Sequence, residues 1–192
     1  MNEWSKITRW LHAAIAFSII AQLIFSLVLV PPDEMEGASN IAKFAMEGHE
    51  LVGLIAVALL FIHWLWLLKT SSDIKLKNLF PYRSNELQQV KTELAYLLEN
   101  KKLPTAEDHG GLSGLVHGLG IIIASGAAFT GFGLYLVMDF SSKGYENPLF
   151  ENIAEVHELF GNLMWFYLIA HVLAAAWHEY EGEQVVSKMF KL

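Results

Sequence analysis

The chain has 192 residues, of which 54% are hydrophobic and only 17% charged, a balance that a soluble domain of this size reaches only with an outsized core. Its formal net charge of -7 argues against a nucleic-acid partner. The absence of cysteine excludes disulfides, iron–sulfur clusters and thioether-linked haem within this chain.

The apolar residues fall in four blocks free of Asp, Glu, Lys and Arg: Leu11–Val30, Leu51–Leu68, Leu112–Met138 and Leu159–Trp177. Each reaches the roughly 18 residues that a helix needs to cross a hydrocarbon core about 30 Å thick. In lipid the backbone must satisfy its own hydrogen bonds, so such runs are helices. The predicted fold is all-α. It is an integral membrane four-helix bundle forming one domain over 1–192, with spans at about 8–30, 49–69, 112–138 and 157–178. Lys6 and Arg9 precede the first block, as in a signal peptide, but the block is too long for one. It also ends in Pro31-Pro32 without a small-residue cleavage site, so it reads as a retained span.

The long segment at 69–111, between the second and third spans, carries Leu87, Val90, Leu94 and Leu97 at helical spacing, bounded by Pro81 and Pro104. It predicts a short additional helix, lying in the membrane interface or packed on the cytoplasmic end of the bundle. Of thirteen Lys and Arg, only Lys43 and Lys143 fall on the side opposite the N-terminus, this segment and the C-terminus. By the positive-inside rule both termini are cytoplasmic, as expected for a multi-pass protein of a bacterial inner membrane. The other face is acidic, with Asp33, Glu34, Glu36, Glu47, Glu50, Asp139, Glu146, Glu151, Glu155 and Glu158. Such a face suits a basic partner such as a small cytochrome c, or is simply solvated.

Six of the eight histidines lie within or at the ends of spans, where an ionisable group is a functional candidate by default. The second span opens Gly48-His49-Glu50-Leu51-Val52-Gly53 and reaches His63; the fourth opens Val156-His157-Glu158-Leu159-Phe160-Gly161 and reaches His171. Fourteen residues at about 100° each make nearly four turns, so both histidines of a span face one way. At 1.5 Å per residue they stand roughly 21 Å apart along the axis. Two haems stacked across a bilayer require such a ladder, because each iron takes an imidazole from either side. Small residues one turn on leave room for a flat macrocycle. Gly53 follows His49, Gly161 follows His157, Ala16 follows His12 and Ala175 follows His171, whereas Leu67 follows His63 and Ile121 follows His117. Depth pairs His49 with His157 at the outer level. At the inner level His171 is fixed by the ladder. For its partner the small-residue offset favours His12 and the internal repeat favours His63, with His117 behind. Lys6, Arg9, Lys43 and Lys143 are candidates to neutralise haem propionates.

The sequence resembles the di-haem cytochrome b subunits of nickel–iron hydrogenases, formate dehydrogenase (its gamma subunit) and thiosulfate reductases. The likeness runs through Arg9-Trp10-Leu11-His12, His49-x-x-x-Gly53, the Lys91–Pro104 stretch, His157 and His171. It implies axial pairs His12 with His171 and His49 with His157, holding two non-covalent haem b. His63 departs from the family pattern and remains the alternative inner ligand. The resemblance also implies quinone exchange near the inner haem, where this chain offers Asp108, His109, Gly110, Gly111 and His117. The family's Asn and Gln/Lys positions have no clear match in that loop. The implied function is electron transfer across the membrane between an outer-face partner, a periplasmic redox subunit or cytochrome c, and the quinone pool. In this reading the chain is the quinone-reactive subunit of an oxidoreductase complex. An oligomer is compatible with the sequence. The alternative is a self-contained di-haem quinone reductase acting on superoxide, against which the acidic outer face counts.

Overall fold

A computed structural model describes residues 4–30, 34–69, 73–105, 110–138 and 148–191. Asp33, Asp108, His109, Asp139, Lys143 and Glu146, all singled out above, lie outside the described residues. The elements are α1 (Lys6–Ser26), α2 (Asn40–Leu68), α3 (Leu76–Leu79), α4 (Ser84–Asn100), α5 (Gly111–Val137), α6 (Pro148–Tyr180) and α7 (Val185–Met189). Among the described residues there is no strand. Helices α1, α2, α5 and α6 are long and apolar enough to cross a membrane, which agrees with the four predicted spans. The second and fourth begin nine residues earlier than their predicted bounds. At 29 and 33 residues and 1.5 Å per residue, they run about 44 and 50 Å, beyond the hydrocarbon layer. Their added turns carry the exposed Lys43, Glu47, Glu151 and Glu155. Pro148 opens α6, where its missing N–H costs no intrahelical bond.

The apolar surface is turned outward. Phe17, Phe61, Phe129 and Phe166 are each more than 60% exposed, an arrangement that water would oppose and lipid tolerates.

Contacts divide the chain into two compact units, to each of which all four long helices contribute a segment. The first comprises Met1–Ala13, His63–Ile122 and Phe166–Leu192. Its core is Leu67, Ile74 and Leu79, packed by Trp4, Trp64, Leu76, Phe80 and Ile121, with the Trp64 and Phe80 rings stacked 6.1 Å apart. Ser5 caps α1 by accepting from the Thr8 amide at 3.2 Å. Asp73 adds a second, remote cap: it accepts from the Ser5 amide at 2.8 Å, the Ser5 hydroxyl at 3.0 Å and the Thr8 hydroxyl at 2.6 Å. Trp66 Nε1 donates to Thr8 Oγ1 at 3.0 Å, so α1, α2 and the following loop meet at a nearly inaccessible threonine. Partial burial of Asp73 works to raise its pKa, but the hydrogen bonds from Thr8 and Ser5 win and hold the carboxyl below its ordinary value.

The predicted loop helix is α4. Its Leu87 and Val90 line an apolar cavity of about 340 Å³ with Leu115, Leu119 and Ile122 of α5 and Phe80, Pro81 and Tyr82. Leu94, by contrast, stays 43% exposed. The Glu93 carboxylate accepts from the Leu112 amide at 2.6 Å and lies against Gly111, whose φ of 61° and lack of a side chain permit that approach. A carboxylate of α4 thereby caps α5. Helix α7 is held in the same way by Glu179, which accepts from the Val186 amide at 2.9 Å and from the Ser187 hydroxyl. Nothing in the pattern of apolar residues announces α7 or the four-residue α3.

The second unit comprises Ala14–Ile62 and Ile123–Trp165. It is packed through small residues. Ala42, Ala45, Ala56 and Ala124 are buried with Leu23, Leu60 and Met164. Gly48 lies under the Phe25 ring and Gly126 under the Phe160 ring. Small residues let membrane helices approach where no hydrophobic drive separates lipid from side chain.

Candidate functional site

The second unit holds two of the sequence-predicted site residues, and they face each other. The ring centres of His49 on α2 and His157 on α6 are 6.1 Å apart, with the planes at 88°. His157 Nδ1 lies 3.1 Å from the Ala127 carbonyl and 3.0 Å from Thr130 Oγ1. A carbonyl only accepts, so Nδ1 carries the proton and donates. The Thr130 hydroxyl has its own acceptor in the Gly126 carbonyl at 2.8 Å, which leaves its oxygen open to the imidazole. In the neutral imidazole the other ring nitrogen of His157 then keeps its lone pair. Gly131 is what admits the ring: a Cβ there would stand 2.9 Å from His157 Cε1. Gln22 of α1 donates to the His49 carbonyl at 2.6 Å, and its amide passes 3.5 Å from where a Gly53 Cβ would sit. Gly161 faces open space. His49 Nδ1 is buried without a hydrogen-bond partner.

The first unit gathers the remaining membrane histidines that the structure describes. His12 on α1 and His171 on α6 have ring centres 6.4 Å apart at 50°. His117 on α5 is closer to His171, at 5.1 Å and 85°, and its Nδ1 lies 2.7 Å from the Ser113 carbonyl. Tyr167 stacks on His171 at 5.4 Å and 14°, and Phe190, beyond α7, meets the His12 ring edge-on at 5.8 Å. His63 is 7% exposed, and its Nδ1, like that of His12, is buried without a partner. Gly110 accepts from the Gly114 amide at 3.0 Å at the start of α5.

An imidazole nitrogen sits about 2 Å from a first-row metal ion, and its ring centre roughly 1 Å further. Two rings that grip one iron from opposite sides thus need centres about 6 Å apart. His49 with His157 and His12 with His171 meet that spacing, whereas His117 with His171 is too close. A buried imidazole nitrogen without a partner costs about 1–3 kcal/mol, which coordination would remove. Among the described residues no three His, Asp or Glu converge as they would on a bare metal ion; the two ring spacings are what suit a planar macrocycle held by pairs of imidazoles.

Thr130, Gly131, Gln22, Tyr167 and Phe190 escaped the sequence reading. Ala127, Thr130 and Gly131 do form a small-residue face on α5, but such faces are common in membrane helices and do not point to a histidine on another helix.

The family model of prokaryotic cytochrome b561 matches residues 3–191. The chain belongs to the prokaryotic cytochrome b561 family. No curated protein and no solved structure matches it. As a member it is a multi-pass membrane cytochrome of the b type, binding haem b and serving electron transfer, of the hydrogenase and formate dehydrogenase cytochrome b kind. The resemblance noted on its histidine motifs therefore holds at the level of the family.

Proposed function

We propose that this cytochrome b is a di-haem protein that carries electrons across the bacterial inner membrane between an outer-face redox partner and the quinone pool. The observation that carries the reading is the pair of imidazole spacings, 6.1 Å for His49 with His157 and 6.4 Å for His12 with His171. Haem b, when bound, supplies a one-electron couple whose potential follows its axial ligands and surroundings. The protein's own contribution is to fix the rings. Thr130 and the Ala127 carbonyl set the tautomer of His157, and Tyr167 holds the plane of His171.

His117, beside His171 and near Gly110 at the head of α5, supports quinone exchange at the first unit, with Asp108 and His109 as proton relays from the adjoining loop. The excess of Lys and Arg on the N-terminus, the 69–111 segment and the C-terminus supports cytoplasmic termini, and the position of His49 and His157 at the far ends of their predicted spans supports an outer-face pair. The outer partner, a periplasmic redox subunit or cytochrome c, would meet the acidic residues near that pair. With no cysteine in the chain, any iron–sulfur cluster must reside in that partner.

The test is haem quantification with reduced-minus-oxidised spectroscopy on the purified protein in detergent. Sharp b-type bands with about two haems per chain are expected; a folded protein with a single haem overturns the di-haem assignment. Reduced protein mixed with an oxidised quinone analogue should reoxidise, and reoxidation lost in His117→Ala with both haems retained would locate the exchange site.

A further inference from the structure

Arg9 stands out in the first unit because its charge has no counterpart among the described residues. It is only 8% exposed, and its Nε is buried without a hydrogen-bond partner. Among the described residues no carboxylate forms an ion pair with it. Asp73, the carboxylate that caps α1, is occupied by the Ser5 amide and the Ser5 and Thr8 hydroxyls, all neutral donors. Taking a guanidinium out of water costs several kcal/mol unless an anion and further hydrogen bonds compensate it. Among the described residues no such anion meets it, which leaves a place for one supplied by a ligand.

Position says which one. Arg9 precedes His12 by three residues on α1, so the two side chains share a face and neighbour each other along the helix. The other candidate cations differ: Lys6 and Lys43 are exposed, and Lys143 lies outside the described residues. A planar, delocalised guanidinium matches a carboxylate with two parallel hydrogen bonds and tolerates burial better than an ammonium does.

We propose that Arg9 binds a propionate carboxylate of the haem held by His12, anchoring that edge of the macrocycle and holding its reduction potential up. The assignment rests on the di-haem reading and adds a residue to it. A buried positive charge beside the macrocycle favours the reduced state, which carries one positive charge fewer.

The test uses the full-length protein in detergent. Wild-type protein that lacks the two b-type haems overturns the di-haem reading and this assignment with it; wild-type protein that shows them leaves Arg9 as the only point at issue. Given two haems, Arg9→Gln is expected to shift the redox equilibrium of one of them about tenfold toward the oxidised form, a fall of about 59 mV for a one-electron couple. The other midpoint should stay in place. Reconstitution separates a propionate from a lipid phosphate as the anion. Wild-type apoprotein should take up haem b about tenfold better than its dimethyl ester at the His12 level, and Arg9→Gln should not discriminate. Unchanged midpoints in Arg9→Gln, or equal discrimination in both proteins, overturn the proposal, the second outcome leaving lipid phosphate as the anion. Should Arg9→Gln fail to accumulate, Arg9→Lys replaces it in the reconstitution, because losing the fork must reduce the acid-over-ester ratio; an unaltered ratio overturns the assignment equally.

Discussion

The two units gather their histidines in different company. In the second, His49 and His157 face each other with no other described histidine near, and the ring of His157 is set by Thr130, Ala127 and Gly131 on α5. In the first, His171 has two imidazoles within 6.4 Å, while His63, the alternative inner ligand, is buried on α2 with its Nδ1 unpartnered. An isolated pair fits a site that only passes electrons on. A crowd of titratable rings fits a site where electrons and protons are exchanged together.

The sharpest way to break this comparison is to delete one ring from each unit. His157→Ala should lose about half of the bound haem, with the remaining spectrum unchanged. His12→Ala should lose the other half, whereas His63→Ala keeps both haems; the reverse pattern on spectroscopy would transfer the ligand role to His63. Smaller effects test the supports. Thr130→Val removes a hydroxyl beside His157 Nδ1 and should weaken haem retention in the second unit about tenfold, as outer-shell partners do, read by haem transfer to apomyoglobin. Gly131→Ala places a methyl against the same ring and should cost about 1–3 kcal/mol, seen as faster haem loss from that unit alone. Mildest is Asp73→Ala, which should lower unfolding stability by about 1 kcal/mol through loss of the α1 cap and leave both haem bands in place. Because the Asp73 pKa is depressed, its contribution is present above the ordinary value of 3.8 and disappears as pH falls through the lowered native value. Wild type and Asp73→Ala should therefore differ in melting temperature by a constant amount from pH 7 to 5 and converge only in stronger acid.

The long helices were legible because lipid imposes one simple demand, an apolar run of sufficient length. Their true starts at Asn40 and Pro148 were not, since beyond the hydrocarbon layer a helix is free to carry Lys43 or Glu151 and loses its hydropathy signature. The loop helix was visible through Leu87, Val90 and their periodic companions, but not which of them would find a partner. For the site, period and spacing mark which histidines share a helix face. They carry no information about the residue on a neighbouring helix that will touch the ring, which is why Thr130 and Tyr167 appear only in three dimensions. Arg9 is intermediate: the sequence offers it among four cations, and burial sets it apart.

The short α7 bears on how the protein is made. Glu179 ties it down, and Phe190 just past it rests against the His12 ring. That phenylalanine leaves the ribosome after all four long helices have been synthesised. The His12 imidazole therefore cannot acquire this cover until Phe190 has been made. The aromatic ring is in this sense a late latch, and its closing over His12 is among the last contacts these residues can form.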